Sequence, residues 1–159
     1  MIDDEVKFVA IGIILVMMGV VVYPVLSSHR VIEPFSELGV LGQDGKLGDY
    51  PHQVTAGGVV KLFLYVGNDE GSVQYYRVDV KVGDQEQNIS DVVPLDAPVI
   101  SSYELVISNG ANTTTPISFS VDDVGLNRRV VFELYRYDAD LGGFNYQLWA
   151  QLWMNVTTT

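Results

Sequence analysis

The sequence predicts an all-β protein: an antiparallel immunoglobulin-like β-sandwich carried behind one N-terminal transmembrane α-helix. Three observations predict it. An uncharged apolar run of nineteen residues, Phe8 to Leu26, stands near the start of a chain of 159. Beyond it no apolar repeat of helical period has useful length, and short alternating or β-rich segments recur between turn residues. Cysteine is absent, so the 129 residues from Val31 onward must build their core without disulfides, which a domain of that size can do.

Residues 1–7 form a short acidic lead, with Asp3, Asp4 and Glu5 beside Lys7. Residues 8–26 follow as the transmembrane helix. At ~1.5 Å per residue these nineteen residues reach about 28 Å, close to the ~30 Å hydrocarbon core. Their Ile and Val content suits a helix poorly in water, but in lipid the backbone must satisfy its own hydrogen bonds and the helix prevails. Tyr23 stands where an interfacial aromatic belongs, and Pro24 falls in the last turn, where it costs little. Val25-Leu26-Ser27 offers a passable cleavage pattern, yet the apolar run exceeds the usual ~7–15 residues and its lead is acidic, which favours an uncleaved anchor. Lys7 on one side and His29 with Arg30 on the other leave the positive-inside rule undecided. Asn-x-Ser/Thr triplets at Asn88, Asn112 and Asn155 favour an extracytoplasmic C-terminal domain and mark three glycosylation candidates.

Residues 27–35 read as a linker and residues 36–157 as the sandwich. Strands are expected at Ser36–Leu41, Val59–Val66, Tyr76–Val82, Glu86–Ile89, Ser102–Ile107, Ile117–Val121, Arg129–Tyr137 and Tyr146–Val156. Between them lie Asp44-Gly45, the Gly67–Gly71 stretch, Gly83-Asp84, Asn109-Gly110 and Gly142-Gly143, each able to turn the chain. Tyr76–Val82 alternates, with Val78, Val80 and Val82 on one face and Arg77, Asp79 and Lys81 on the other. The last strand divides likewise: Tyr146, Leu148, Ala150, Leu152, Met154 and Val156 on a core face, against Gln147, Trp149, Gln151, Trp153 and Asn155. Two tryptophans ~13 Å apart between amides are more than a solvated face needs. Either part of the domain covers them, such as the Asp91–Val99 loop, or Trp149 and Trp153 meet a partner or membrane surface.

One segment carries a family resemblance. Phe35, Leu41-Gly42, Asp44-Gly45-Lys46 and Tyr50-Pro51 resemble the opening signature of an archaeal family known as domain of unknown function 1616. Val66-Gly67-Asn68, the run from Phe132 to Asp138 and the tryptophan-bearing last strand resemble it too. The resemblance covers residues 33–157 and implies an archaeal membrane-anchored β-sandwich without an established activity.

Composition excludes several chemistries. Nine Lys and Arg against twenty Asp and Glu give a net charge of −11, with no basic footprint for nucleic acid. His29 and His52 are the only histidines, and neither has a partner at ligand spacing. No nucleophile elbow, phosphate loop or dinucleotide fingerprint occurs. Asp138 with Asp140 is a weak calcium candidate, as are Asp122 with Asp123 and Asp44 with Asp49, but none matches a dedicated calcium loop, and they read as turn acids. No cofactor is expected. The expected function is therefore non-catalytic: a single-span accessory or interaction subunit presenting its sandwich outside the cell, with membrane or cell-surface proteins as partners. A pilin-like filament subunit and a calcium-binding extracellular adhesin are the alternatives.

Overall fold

The computed structural model describes residues 4–27 and 33–158, and within the helix the side chains of Phe8, Val9 and residues 11–23. Residues 1–3 of the acidic lead and 28–32 of the linker, with His29 and Arg30, lie outside the described residues. Two compact units result, one over Met1–Glu33 and one over Pro34–Thr159.

The first unit is helix α1, Asp4–Ser27, which contains the expected apolar run. All its described side chains, from Phe8 to Tyr23, are exposed, so no face is set apart for packing within the unit. Over the described residues alone, no helix is long and apolar enough to cross a membrane. Four residues of the nineteen, Ala10, Pro24, Val25 and Leu26, have side chains outside that description.

The second unit holds eight strands: β1 Phe35–Leu41, β2 Gln53–Thr55, β3 Val59–Asp69, β4 Gln74–Gly83, β5 Val99–Ile107, β6 Ala111–Ser120, β7 Gly125–Asp138 and β8 Gly143–Thr157. They form two sheets, β1-β3-β6 and β2-β8-β7-β4-β5. In immunoglobulin nomenclature the first order is A-B-E, and the second contains G-F-C-C′. All pairs are antiparallel except β2 with β8, which run parallel over Gln53–Thr55 and Asn155–Thr157.

Alternation drives the packing. Val60, Leu62, Leu64 and Val66 of β3 face Tyr76, Val78 and Val80 of β4 and Phe132 and Leu134 of β7 in one aliphatic core. Leu148, Ala150, Leu152, Met154 and Val156 of β8 join it, as the sequence predicts. Phe119 and Phe132 meet edge to face, with centroids 5.8 Å apart.

Several strand expectations need correction. Glu86–Ile89 is not a strand but part of a connection over 84–98, because its polar residues bond loop backbone instead of a neighbouring strand. Gly67–Asp69 extend β3, and the turn follows them. β6 begins at Ala111, so the threonine run is paired strand. β2 is new: three residues recruited by β8. Asp44-Gly45 does turn the chain, but β1 and β2 belong to different sheets, so it makes a corner and no hairpin. A register shift between Leu134 and Tyr135 inserts one residue into β8 near Gln147. Tyr146 therefore pairs with Tyr135 on the outer face and leaves the core face.

The corner explains the first family motif. A Cβ at Gly42 would run into the Gly48 carbonyl oxygen, and Gly45 takes φ +75°. The Tyr50 hydroxyl donates to Val40 O at 2.7 Å and closes the corner. The second motif is also structural. The Asn68 amide is fully buried and donates to Ser72 O and Ile107 O at 2.9 and 2.8 Å, while its carbonyl accepts Glu70 N.

Candidate interaction surface

The outer face of the five-stranded sheet carries most of the polar chemistry of the domain. At its centre Lys81 and Glu133 are buried and form an ion pair at 3.0 Å. Alternation places both there: each stands one residue away from core positions, Val80 and Phe132, on adjoining strands. A buried pair of this kind survives only if its remaining donors and acceptors are satisfied. The 84–98 connection and Tyr135 of β7 satisfy them. Lys81 Nζ donates to Leu95 O at 2.8 Å, Leu95 N donates to Glu133 Oε1 at 2.5 Å, and Tyr135 donates to Glu133 Oε2 at 2.6 Å. Leu95 itself is buried. Arg129 holds the same connection at Gln87 O, and the Tyr146 hydroxyl holds it at Ser90 O.

Burial and the hydrogen bond to Glu133 raise Tyr135 well above the ordinary tyrosine range. Burial, then the charges of Glu133 and Asp91, push Tyr146 up to about 12. Toward the hairpin end, the Arg77 guanidinium lies 4.5 Å from the Phe144 ring centre and 5.1 Å from that of Tyr135, with Asp79 at 3.1 Å. That cluster fixes Arg77 in place.

Trp149 and Trp153 lie on this outer face, each half-buried, opposite Glu133 and Arg129 respectively on β7. Trp153 has the Arg129 guanidinium over its ring at 5.0 Å. The covering connection is therefore real, and it takes the centre of the face while the tryptophan edge keeps part of its surface accessible.

The other singled-out residues are scattered. Asn88 and Asn112 are exposed, whereas Asn155 is half-buried, with its side-chain oxygen accepting Asn127 N at 2.9 Å. Asp138 uses its carboxylate on Asp140 N, Leu141 N and the Asn145 amide, which is turn capping. Asp123 pairs with Arg128 at 2.9 Å, and Asp44 caps Lys46 N at 3.1 Å. Among the described residues no group of three His, Asp or Glu is placed to hold a metal ion. His52 gives its carbonyl to Asn155 N at 2.8 Å. The Lys81–Glu133 pair escaped sequence reading, because a strand alternating Val with charged residues looks the same whether its polar face is wet or covered.

The fold is similar to several solved structures at low identity. One is the CARDB domain of the PF1109 protein from Pyrococcus furiosus, solved with di-metal ions: 11% identity, 79% of this chain and 90% of that one, TM-score 0.45. Another is from a complex of zinc 2-glycoprotein and prolactin-inducible protein from human seminal plasma: 7% identity, 82% and 99% covered, TM-score 0.47. A PapD-like domain of human CEP192 has 8% identity over 82% and 95%, at TM-score 0.39. These scores are too low to transfer a ligand or partner. No curated protein matches the chain. A family profile described as domain of unknown function (DUF1616) matches residues 30–147, which include the Phe35–Pro51 corner, the Val66-Gly67-Asn68 turn and the Phe132–Asp138 run, and the chain belongs to that family.

Proposed function

We propose that this chain is a non-catalytic accessory or interaction subunit, anchored by residues 8–26 and presenting its sandwich outside an archaeal cell. The observation that carries the reading is the tryptophan edge of the outer face, where Trp149 and Trp153 stay partly exposed beside the covering connection. Aromatic side chains set among amides are the composition of an interface centre. The partners are other membrane or cell-surface proteins.

The anchor is supported by the nineteen uncharged residues inside a helix of 24. An all-apolar helix needs an apolar surrounding on every side. Val16→Arg near its centre is expected to oppose insertion by ~2.5–3.5 kcal/mol, and carbonate-resistant membrane association should drop. Unchanged association would remove the anchor from the proposal. Protease added to intact cells should clip the domain; protection alongside a digested external control would reverse the topology.

Trp153→Ala tests the contact. As an interface residue it should weaken association with the membrane proteins that co-purify in mild detergent by more than ~1 kcal/mol while the chain melts almost as before. A loss of ~3–5 kcal/mol in unfolding stability would make the tryptophan internal cover instead.

A further inference from the structure

For most of its length β8 is an edge strand. β2 pairs only with Asn155–Thr157, and no described strand pairs the same edge from Gly143 to Met154. Asn155 N donates to His52 O on this side at 2.8 Å. Successive residues of a strand turn their N–H and C=O to opposite sides, so Trp153, Gln151 and Trp149 present theirs on the same side as Asn155. A row of unpaired donors and acceptors thus continues straight beyond the end of β2. Sandwiches ordinarily blunt such an edge with a lysine, a proline or an inward charge. β8 has none of these from Gly143 to Thr157, and its one bulge, near Gln147, lies before the three residues in question.

Beside this edge, where β8 passes β1, is a mostly apolar groove of about 380 Å³ lined by Val40, Tyr50, His52, Ala150, Leu152 and Trp153, together with Gln151. The Gln151 side-chain oxygen is buried and has no hydrogen-bond partner among the described residues.

We infer that the β8 edge is a strand-addition site. An extended segment of a partner protein lies along Trp149–Trp153 in line with β2 and seats one aliphatic side chain in the groove. In strand addition the main chain supplies affinity, and pockets for alternate side chains supply selectivity. Charge narrows the partner further. With seventeen acids against seven bases from Val31 onward, the domain repels acidic segments and favours those carrying Lys or Arg. A second copy of the chain cannot pair symmetrically about Gln151. Antiparallel pairing centred on Gln151 would bring the partner's Gln147 opposite Asn155, where β2 already sits. This inference rests on the reading of the domain as an interaction module and specifies how it grips.

The test uses the full chain in detergent and a displayed library of ten-residue peptides. Trp149 and Trp153 are the only tryptophans, so their fluorescence reports binding at this edge directly. Enriched peptides should lack Asp and Glu and keep one aliphatic position. On binding, the amides of Trp149, Gln151 and Trp153 should gain protection from hydrogen exchange. Gln151→Pro removes an outward N–H without touching the β7 ladder and should weaken binding about tenfold. Gln151→Leu, which keeps the backbone N–H, should bind within about twofold of the parent. No enrichment over scrambled peptides, or full affinity in Gln151→Pro, overturns strand addition. If Trp153→Ala still weakens co-purification while the peptides fail, the face contact stands and only the edge site falls. If peptides bind the edge but no membrane protein co-purifies, the edge site stands and the accessory-subunit reading falls.

Discussion

On the inner face of the five-stranded sheet, Val78, Val80, Phe132 and Leu134 meet the three-stranded sheet through apolar contact alone. On the outer face, one residue along the same strands, Asp79, Lys81 and Glu133 are almost as deeply buried. The inner face excludes water because its side chains have nothing to offer it. The outer face excludes water only because its polar atoms are answered, by Leu95 of the 84–98 connection and Tyr135 for the ion pair and by Arg77 and Ser102 for Asp79. The two faces therefore fail differently: truncation leaves a void inside and an orphaned charge outside.

The largest expected effects set the two faces side by side. Phe132→Ala should cost about 3–5 kcal/mol in chemical denaturation, as a void in a packed core does. Lys81→Ala should cost a similar ~3–5 kcal/mol, because Glu133 loses its counter-charge in a buried site. What separates them is rescue. Replacing the pair together, Lys81→Met with Glu133→Leu, should recover the charge penalty and leave about 1–3 kcal/mol for the unpartnered Leu95 N–H, whereas no single second change repairs Phe132→Ala. If the double variant is as unstable as Lys81→Ala, the outer face is held by something other than the pair.

An intermediate effect is expected from Leu95→Ala, about 2–3 kcal/mol, since Leu95 is the one aliphatic residue of the connection that is buried against the sheet. Hydrogen exchange across residues 84–98 should speed up while β3 and β6 keep their protection. Uniform acceleration would mean that the connection and the core open as one unit.

The smallest effect concerns pH. Tyr135 and Tyr146 both have raised pKa values in the folded chain. Below pH about 10 both are neutral, folded or unfolded, and their contribution to stability is fully present. As the pH rises toward the folded value of about 12 for Tyr146, the unfolded chain ionises first and stability falls. Tyr146→Phe should flatten that alkaline slope and cost about 0.5–1.5 kcal/mol at neutral pH through the lost bond to Ser90 O. An unchanged slope would show that burial and the nearby charges do not hold the Tyr146 phenol neutral.

Seven of the eight strands were legible, because alternation or β-rich composition marks a segment that is buried on one face. Their ends were not, since pairing at Gly67–Asp69 and Ala111–Pro116 depends on the neighbour across the sheet. β2 was invisible: Gln53, Val54 and Thr55 have no pattern of their own and become a strand because β8 has room beside Asn155. Among candidate site residues, the outward placement of Trp149 and Trp153 followed from period two. Tyr146 did not follow it, because one inserted residue reverses the sides beyond a bulge. The buried pair was illegible for a different reason: local sequence shows that Lys81 and Glu133 share a face, and only the fold shows that a distant connection lies over it.

The joining of β2 to β8 has a consequence for biosynthesis. Thr157 Oγ1 and Val54 O, 103 residues apart, meet only when the last strand is in place. Pairings that distant in sequence form late and slowly. A ribosome releasing the chain from its amino end would emit β2 long before its sole sheet partner exists, and the β7 edge would stay bare until β8 arrives. Without residues 155–157, β2 would thus have no strand to join, although Gly143–Met154 could still cover β7.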